Sequence, residues 1–224
     1  MATWLVTGAN RGLGLEWTRQ LASRGESVIA TARKPAGSEA LASLGAEVHP
    51  LDVAEPGSVA ELARALGARP IDVLVNNAGR GGSTAPFDEI DWSDVARFFQ
   101  VNTIGPMRLT QALLPNLHAG SRKLIVNVTS RMGSIGDNSS GGHYGYRASK
   151  AALNMMTRSL ALDAGRTGLT CVAIHPGWVA TDMGGAGAPL STMQSVTHML
   201  GVVDRLAASD NGRFLDHQGA TIPW

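Results

Sequence analysis

Tyr146 and Lys150 stand four residues apart, a spacing that puts two side chains on one face of a helix. A free tyrosine titrates near 10, too high for effective acid–base work at neutral pH. A neighbouring ammonium favours the phenolate and lowers that value. Lowering it by about 3 units takes roughly 4 kcal/mol of differential stabilisation. A pair of this kind suits proton exchange with a carbonyl or alcohol oxygen while a hydride moves at the attached carbon. Ser130 supplies a hydroxyl that can hydrogen-bond the same oxygen. The stretch from Ser130 to Tyr146 carries Gly133, Gly136, Ser139, Ser140, Gly141 and Gly142, so it reads as a loop that reaches the site. Tyr144 is a second tyrosine nearby, but no lysine follows it at four residues. Taken singly, the residues also have plain readings. A Tyr-x-x-x-Lys pair fits a solvated helix face, and Ser130 fits a cap.

A second constellation lies at the other end of the chain. Thr7-Gly8-Ala9-Asn10-Arg11-Gly12-Leu13-Gly14 follows an apolar run and precedes a helical pattern. Glycines Gly8, Gly12 and Gly14 let the backbone turn sharply and approach a pyrophosphate, which then rests on the helix N-terminus with Asn10 and Leu13 beside it. An NAD-selecting chain places an acid about 20 residues further on, for the ribose 2′-hydroxyl. Here that region reads Val28-Ile29-Ala30-Thr31-Ala32-Arg33-Lys34 and holds cations instead. Arg11 and Arg33 together suit a 2′-phosphate, so NADP(H) is favoured and NAD(H) remains open. The plain alternative is two solvated surface arginines.

The elements that must position these groups alternate along the chain. Strand patterns fall at about 3–7, 27–32, 47–51, 71–75, 123–129, 169–175 and 213–215. Helical patterns fall at about 12–24, 37–44, 56–67, 91–118, 145–164 and 191–207. Gly25, Gly45 and Gly67 read as helix stops, Pro56 as a first-turn residue, and Ser191 with Gln194 as a capping box. Strict alternation predicts an α/β fold of the Rossmann type: one doubly wound parallel sheet of about seven strands with helices on both faces, in a single domain over 1–224. Cofactor and substrate meet beyond the carboxyl ends of the strands.

The motifs, in this order, resemble those of the short-chain dehydrogenase/reductase family. They comprise the glycine turn, Asn76-Asn77-Ala78-Gly79, Asn102, Ser130, Tyr146-x-x-x-Lys150 and Pro176-Gly177. The run Ser130–Asn138, with Gly212–Asp216 and the terminal Ile222-Pro223-Trp224, is similar to the C-factor and sniffer-type carbonyl reductase branch. The resemblance implies the strand order 3-2-1-4-5-6-7 and a catalytic set of Asn102, Ser130, Tyr146 and Lys150, with Asn102 holding a water on a proton path to Lys150. It implies that Asp52 holds the adenine amino group, although a cap is an equal reading for that residue. It places Val53, Asn76, Ala78, Gly79, Tyr146 and Lys150 against the cofactor. Pro176, Gly177 and Val179 then face the nicotinamide, and Thr181 its carboxamide. It further implies a small carbonyl or alcohol substrate and a homodimer or homotetramer built on the 91–118 and 145–164 helices.

Composition bounds the rest. Nineteen Lys and Arg balance eighteen Asp and Glu without a charged run, so neither nucleic acid nor a membrane surface is expected as a partner. No secretory leader or spanning segment is read, and the single cysteine, Cys171, reads as a buried core thiol suited to the cytoplasm. No metal-ligand spacing joins the histidines, and His175 is taken as structural. Residues 183–189 are dense enough in glycine for a lid. Trp178, Met132, Ile135, Met183 and Tyr144 are candidates for the substrate pocket or for ordinary core. Two rival functions stay open. One is a nucleotide-binding signalling protein of the C-factor kind with little turnover. The other is an epimerase or dehydratase on the same fold, which the short chain disfavours.

Overall fold

The computed structural model describes residues 1–35, 38–82 and 84–224. Its seven strands are β1 Thr3–Val6, β2 Ser27–Ala32, β3 Glu47–Pro50, β4 Val73–Asn76, β5 Leu124–Val128, β6 Thr170–His175 and β7 Phe214–Asp216. They form one sheet in the order β3-β2-β1-β4-β5-β6-β7, and every pairing is parallel. The expected architecture and order are therefore the observed ones.

The helices are α1 Gly12–Ser23, α2 Glu39–Ala42, α3 Pro56–Leu66, α4 Trp92–Phe99, α5 Gly105–Ala112, α6 Leu114–Ala119, α7 Tyr144–Ala164 and α8 Thr192–Arg205. The start expected at 37 for the second helix lies outside the described residues. Pro56 occupies the first turn of α3, and Ser191 and Gln194 form the capping box of α8.

Strand side chains alternate between two layers, as a pleat requires. Trp4, Val6, Ala30 and Val126 pack with Trp17 and Leu21 of α1 and Met199 and Val203 of α8. Leu5, Ile29, Leu74, Ile125 and Cys171 pack on the opposite face with Leu62, Leu109 and Leu117. Burying each large apolar side chain contributes about 1.5–3 kcal/mol, and this is what fixes the sheet between its helices.

The one long helix expected at 91–118 is a correction. Between α4 and α5 the chain makes a π-helical turn, Gln100–Ile104, and α5 and α6 are separate. Prolines explain both breaks. Pro106 has no N–H to offer the Asn102 carbonyl, and Pro115 has none for Gln111. The first break turns Asn102 into the interior, where it is fully buried. No helix among the described residues is long and apolar enough to cross a membrane.

Candidate active site

Thr7, at the end of β1, joins the first turn to the fourth strand. Its hydroxyl accepts hydrogen bonds from the N–H groups of Asn77 and Ala78, both at 2.9 Å. The Asn77 amide donates back to the Thr7 carbonyl at 2.8 Å. The two loops are so close that glycine is required. A Cβ on Gly14 would lie 2.2 Å from the Gly8 carbonyl oxygen, and one on Gly8, at φ +64°, 3.0 Å from the Ala78 Cα. The N-terminus of α1 therefore faces an open cleft, and no side chain caps it. Uncapped N–H groups with their helix dipole, and glycines that leave no side chain in the way, fit a pyrophosphate.

Gly8, Asn10, Arg11, Gly12 and Leu13 line that cleft, and Gly14 sits buried behind them. Arg33, Asp52, Val53, Ala78, Gly79, Tyr146, Lys150, Pro176 and Thr181 border it as well, Thr181 close to Gly12. Gly177 is beside it, packed against Leu190 and His217, while the Val179 side chain is buried. Asp52 does not cap α3, whose N-terminus begins at Glu55 without a side-chain cap. One Asp52 carboxylate oxygen accepts from the Ala54 N–H at 3.0 Å in a local turn, and the residue still borders the cleft. The two arginines differ. Arg11 is ion-paired to Asp182, on the segment across the cleft, whereas Arg33 forms no ion pair among the described residues.

Asn76 is corrected. It is 2% exposed and turned away from the cleft. Its amide donates to Asn127 at 2.8 Å and to Thr110 at 3.1 Å, which makes it an interior strut between β4, β5 and α5. The next residue, Asn77, borders the cleft in its place. Asn76 ends the strand with its side chain on the covered face, and a motif match does not distinguish the two asparagines.

Ser130, two residues past β5, begins a short 3₁₀ turn, Arg131–Gly133. Its oxygen accepts from the Met132 N–H at 3.1 Å, so its cap role is present, and its own proton remains available to another acceptor. Tyr146 is partly buried. Burial raises its phenol above the ordinary value of 10.0, and a hydrogen bond with Ser130 works in the opposite direction. The lowering expected from Lys150 is not found. The Lys150 Nζ donates instead to the Val128 carbonyl at 2.9 Å, and burial pushes the lysine itself down to about 8. A shared helix face brings the two side chains to one site but does not pair them.

The Asn102 amide group is hydrogen-bonded through both of its polar atoms. Its oxygen accepts from the Arg80 N–H at 2.9 Å, and its nitrogen donates to the Arg80 carbonyl at 3.0 Å and to Ser149 at 3.1 Å. Asn102 and Lys150 approach the same point, since a Cβ on Gly79 would lie 3.4 Å from Asn102 Oδ1 and 3.7 Å from Lys150 Nζ.

Of the pocket candidates, Met183 borders the cleft and touches Gly81 across it. Trp178 is largely exposed and donates to the Gly184 carbonyl at 2.8 Å, while Ile135 points to solvent and Tyr144 packs on Phe87. His175 ends β6, and burial pushes its imidazole down to about 4. Cys171 is a free core thiol pushed up to about 12. Among the described residues, no cluster of three or more His, Cys, Asp or Glu is arranged to hold a metal. Sequence reading missed Arg80, which borders the cleft within reach of Asn102 and Phe98. Its position directly after Asn-Asn-Ala-Gly was the available signal.

Comparison with known proteins agrees with this geometry. The family model described as short chain dehydrogenase matches residues 2–189. The chain is 49% identical to C-signal of Myxococcus xanthus over 155 residues, 69% of this chain and 93% of that protein. Carbonyl reductase Sniffer of D. melanogaster superposes with a TM-score of 0.95 at 31% identity, covering 100% of both chains. NADPH-bound carbonyl reductase from chicken fatty liver superposes at 0.94 with 35% identity, covering 100% of this chain and 99% of that one. This chain belongs to the short-chain dehydrogenase/reductase family of oxidoreductases, in its C-factor and sniffer-type branch.

Proposed function

We propose that the protein is an NADP(H)-dependent carbonyl reductase. The observation that carries this reading is that Tyr146, hydrogen-bonded to Ser130, lines together with Lys150 the same cleft that the uncapped helix α1 faces. The NADPH carried by a structural neighbour supports the cofactor, as does a basic cleft wall at Arg33 and Lys34 with no acid in that stretch.

Arg33, with Arg11 once it exchanges Asp182 for a better anion, would hold the 2′-phosphate. The first turn of α1 would hold the pyrophosphate, and Lys150 the nicotinamide ribose hydroxyls. The bound cofactor supplies the hydride. The Ser130 hydroxyl donates a hydrogen bond to the substrate oxygen and so favours the charge that grows there. Tyr146 donates the proton that neutralises this oxygen. The reverse direction uses the same groups, with Tyr146 as base.

NADPH consumption measured against a panel of aldehydes, ketones and diketones tests the proposal. Turnover of at least one carbonyl class is the expected result. The identity with C-signal supports a second reading, a nucleotide-binding signalling protein with little turnover, and that reading expects no consumption with any member of the panel. We further propose a homodimer or homotetramer in the cytoplasm, because Met155 and Leu162 leave apolar surface on α7, 67% and 62% exposed. Light scattering at micromolar concentration checks the assembly, and a monomer overturns it.

A further inference from the structure

Phe98, near the end of α4, is 3% exposed and lies between two groups of different character. Its ring meets the Tyr146 ring edge-on, with centroids 6.3 Å apart and planes at 74°. The Arg80 guanidinium lies over the Phe98 ring, 4.8 Å from its centre. Two glycines also lie against the ring. A Cβ on Gly82 would stand 1.9 Å from Phe98 Cζ, and one on Gly145 would stand 2.9 Å from Phe98 Cδ2. Gly145 is the residue immediately before Tyr146, so the ring is seated against the backbone that carries the phenol.

Arg80 is itself held firmly. Its guanidinium donates to Asp94 at 2.7 Å, and the Asn102 amide binds both its backbone N–H and its carbonyl. The loop after β4, helix α4, the π-helical turn and the first turn of α7 thus converge on one aromatic ring. Because Asp94 balances the guanidinium charge, Arg80 influences the phenol through contact and not through a long-range field. A cation over an aromatic face resists sliding and tilting of that ring. The ring edge in turn limits how Tyr146 rotates.

We propose that Arg80 and Phe98 are positioning residues that aim the Tyr146 phenol. This rests on Tyr146 being the proton donor. The physical warrant is the steep dependence of catalysis on alignment, where a displacement of about 1 Å costs on the order of 100-fold. Arg80 borders the cleft but Phe98 does not, so NADPH affinity should be insensitive to a change at Phe98.

The test uses Arg80→Met, Arg80→Lys and Phe98→Leu, with NADPH and a carbonyl that the panel shows to be reduced. Phe98→Leu is expected to lower kcat by about tenfold or more, and Arg80→Met by roughly three- to tenfold. Arg80→Lys keeps a cation over the ring and should recover most of that loss. The NADPH dissociation constant of Phe98→Leu should stay within about twofold of the parent, and in Arg80→Met the fall in kcat should exceed any loss of NADPH affinity. A second readout needs no turnover. The chain has two tyrosines, so ring-labelled tyrosine gives one NMR signal set for each. The Tyr146 set, assigned with Tyr144→Phe, should shift in Arg80→Met and return in Arg80→Lys.

Parental kcat and an unmoved Tyr146 signal in Arg80→Met would overturn the proposal while leaving Tyr146 as the acid. A fall in kcat matched by equally weakened NADPH binding would also overturn it, since the contact would then support the whole cleft. Parental kcat in Tyr146→Phe would instead overturn the acid assignment on which the proposal stands. Should Phe98→Leu fail to fold, the two Arg80 variants decide the matter.

Discussion

The Lys150 Nζ donates to the Val128 carbonyl oxygen at 2.9 Å, which anchors a cation from α7 at the C-terminal end of β5. The lysine is 5% exposed, and burial pushes it from 10.5 to about 8. Helix α7 thus brings a charge into the site at a cost to the fold.

Stability should reveal that cost. Below about pH 8 the ammonium is charged in both folded and unfolded chains, and the folded chain bears the whole penalty of burying it. Between about 8 and 10.5 the folded chain releases its proton first, so stability rises with pH across that window. The gap corresponds to about 3 kcal/mol. Lys150→Met should therefore resist urea better than the parent at pH 7, lose activity, and lose its stability advantage as the pH climbs past 10.5. Equal urea midpoints at pH 7 would show that the ammonium is not buried in the way described.

The interior strut should behave in the opposite way. Asn76→Ala removes the donor to Asn127 and leaves a small cavity, a change worth about 1–3 kcal/mol for the unsatisfied group alone. Its melting temperature should fall, and its NADPH affinity by calorimetry should remain near the parent value. A selective loss of NADPH affinity without loss of stability would return Asn76 to the cofactor.

How far the sequence could be read follows from the same residues. The sheet was legible because parallel strands covered on both faces are short apolar runs, and seven such runs alternate with helical patterns. The glycine turn and the Tyr146–Lys150 pair were legible because their chemistry dictates local spacing. The π-helical turn was not read, since apolar periodicity continues through Gln100–Ile104 and only Pro106 marks the break. The exchange of Asn77 for Asn76 depends on which of two neighbours still belongs to the strand. The Arg11–Asp182 pair joins residues 171 positions apart, and Phe98 bears no motif, so tertiary packing alone reveals either contact. The spacing of Tyr146 and Lys150 also says nothing about Val128, whose carbonyl holds the ammonium.

Cofactor choice can be tested through the two arginines separately. Charge-assisted hydrogen bonds contribute about 1.5–3 kcal/mol each, roughly tenfold to a hundredfold in affinity. Arg33→Ala should weaken NADPH by about that factor and leave NADH nearly unchanged. Arg11→Ala should have a smaller effect, because a phosphate must first displace Asp182. Calorimetry with both cofactors checks this, and equal affinities of the parent for NADPH and NADH would contradict the assignment.

The central claim is that Tyr146 gives the proton. Tyr146→Phe keeps the ring and its contact with Phe98 but removes the only atom the reaction needs from it. General acid catalysis is typically worth about 10²–10⁴-fold, so kcat should fall by that much while NADPH affinity barely changes. Tyr144→Phe is the internal control: its ring packs on Phe87, and the change should alter KM at most. The deciding measurement is the steady-state kcat of these two variants on one accepted carbonyl. An inactive Tyr146→Phe beside a near-parental Tyr144→Phe is the predicted result. A near-parental kcat for Tyr146→Phe would contradict the account.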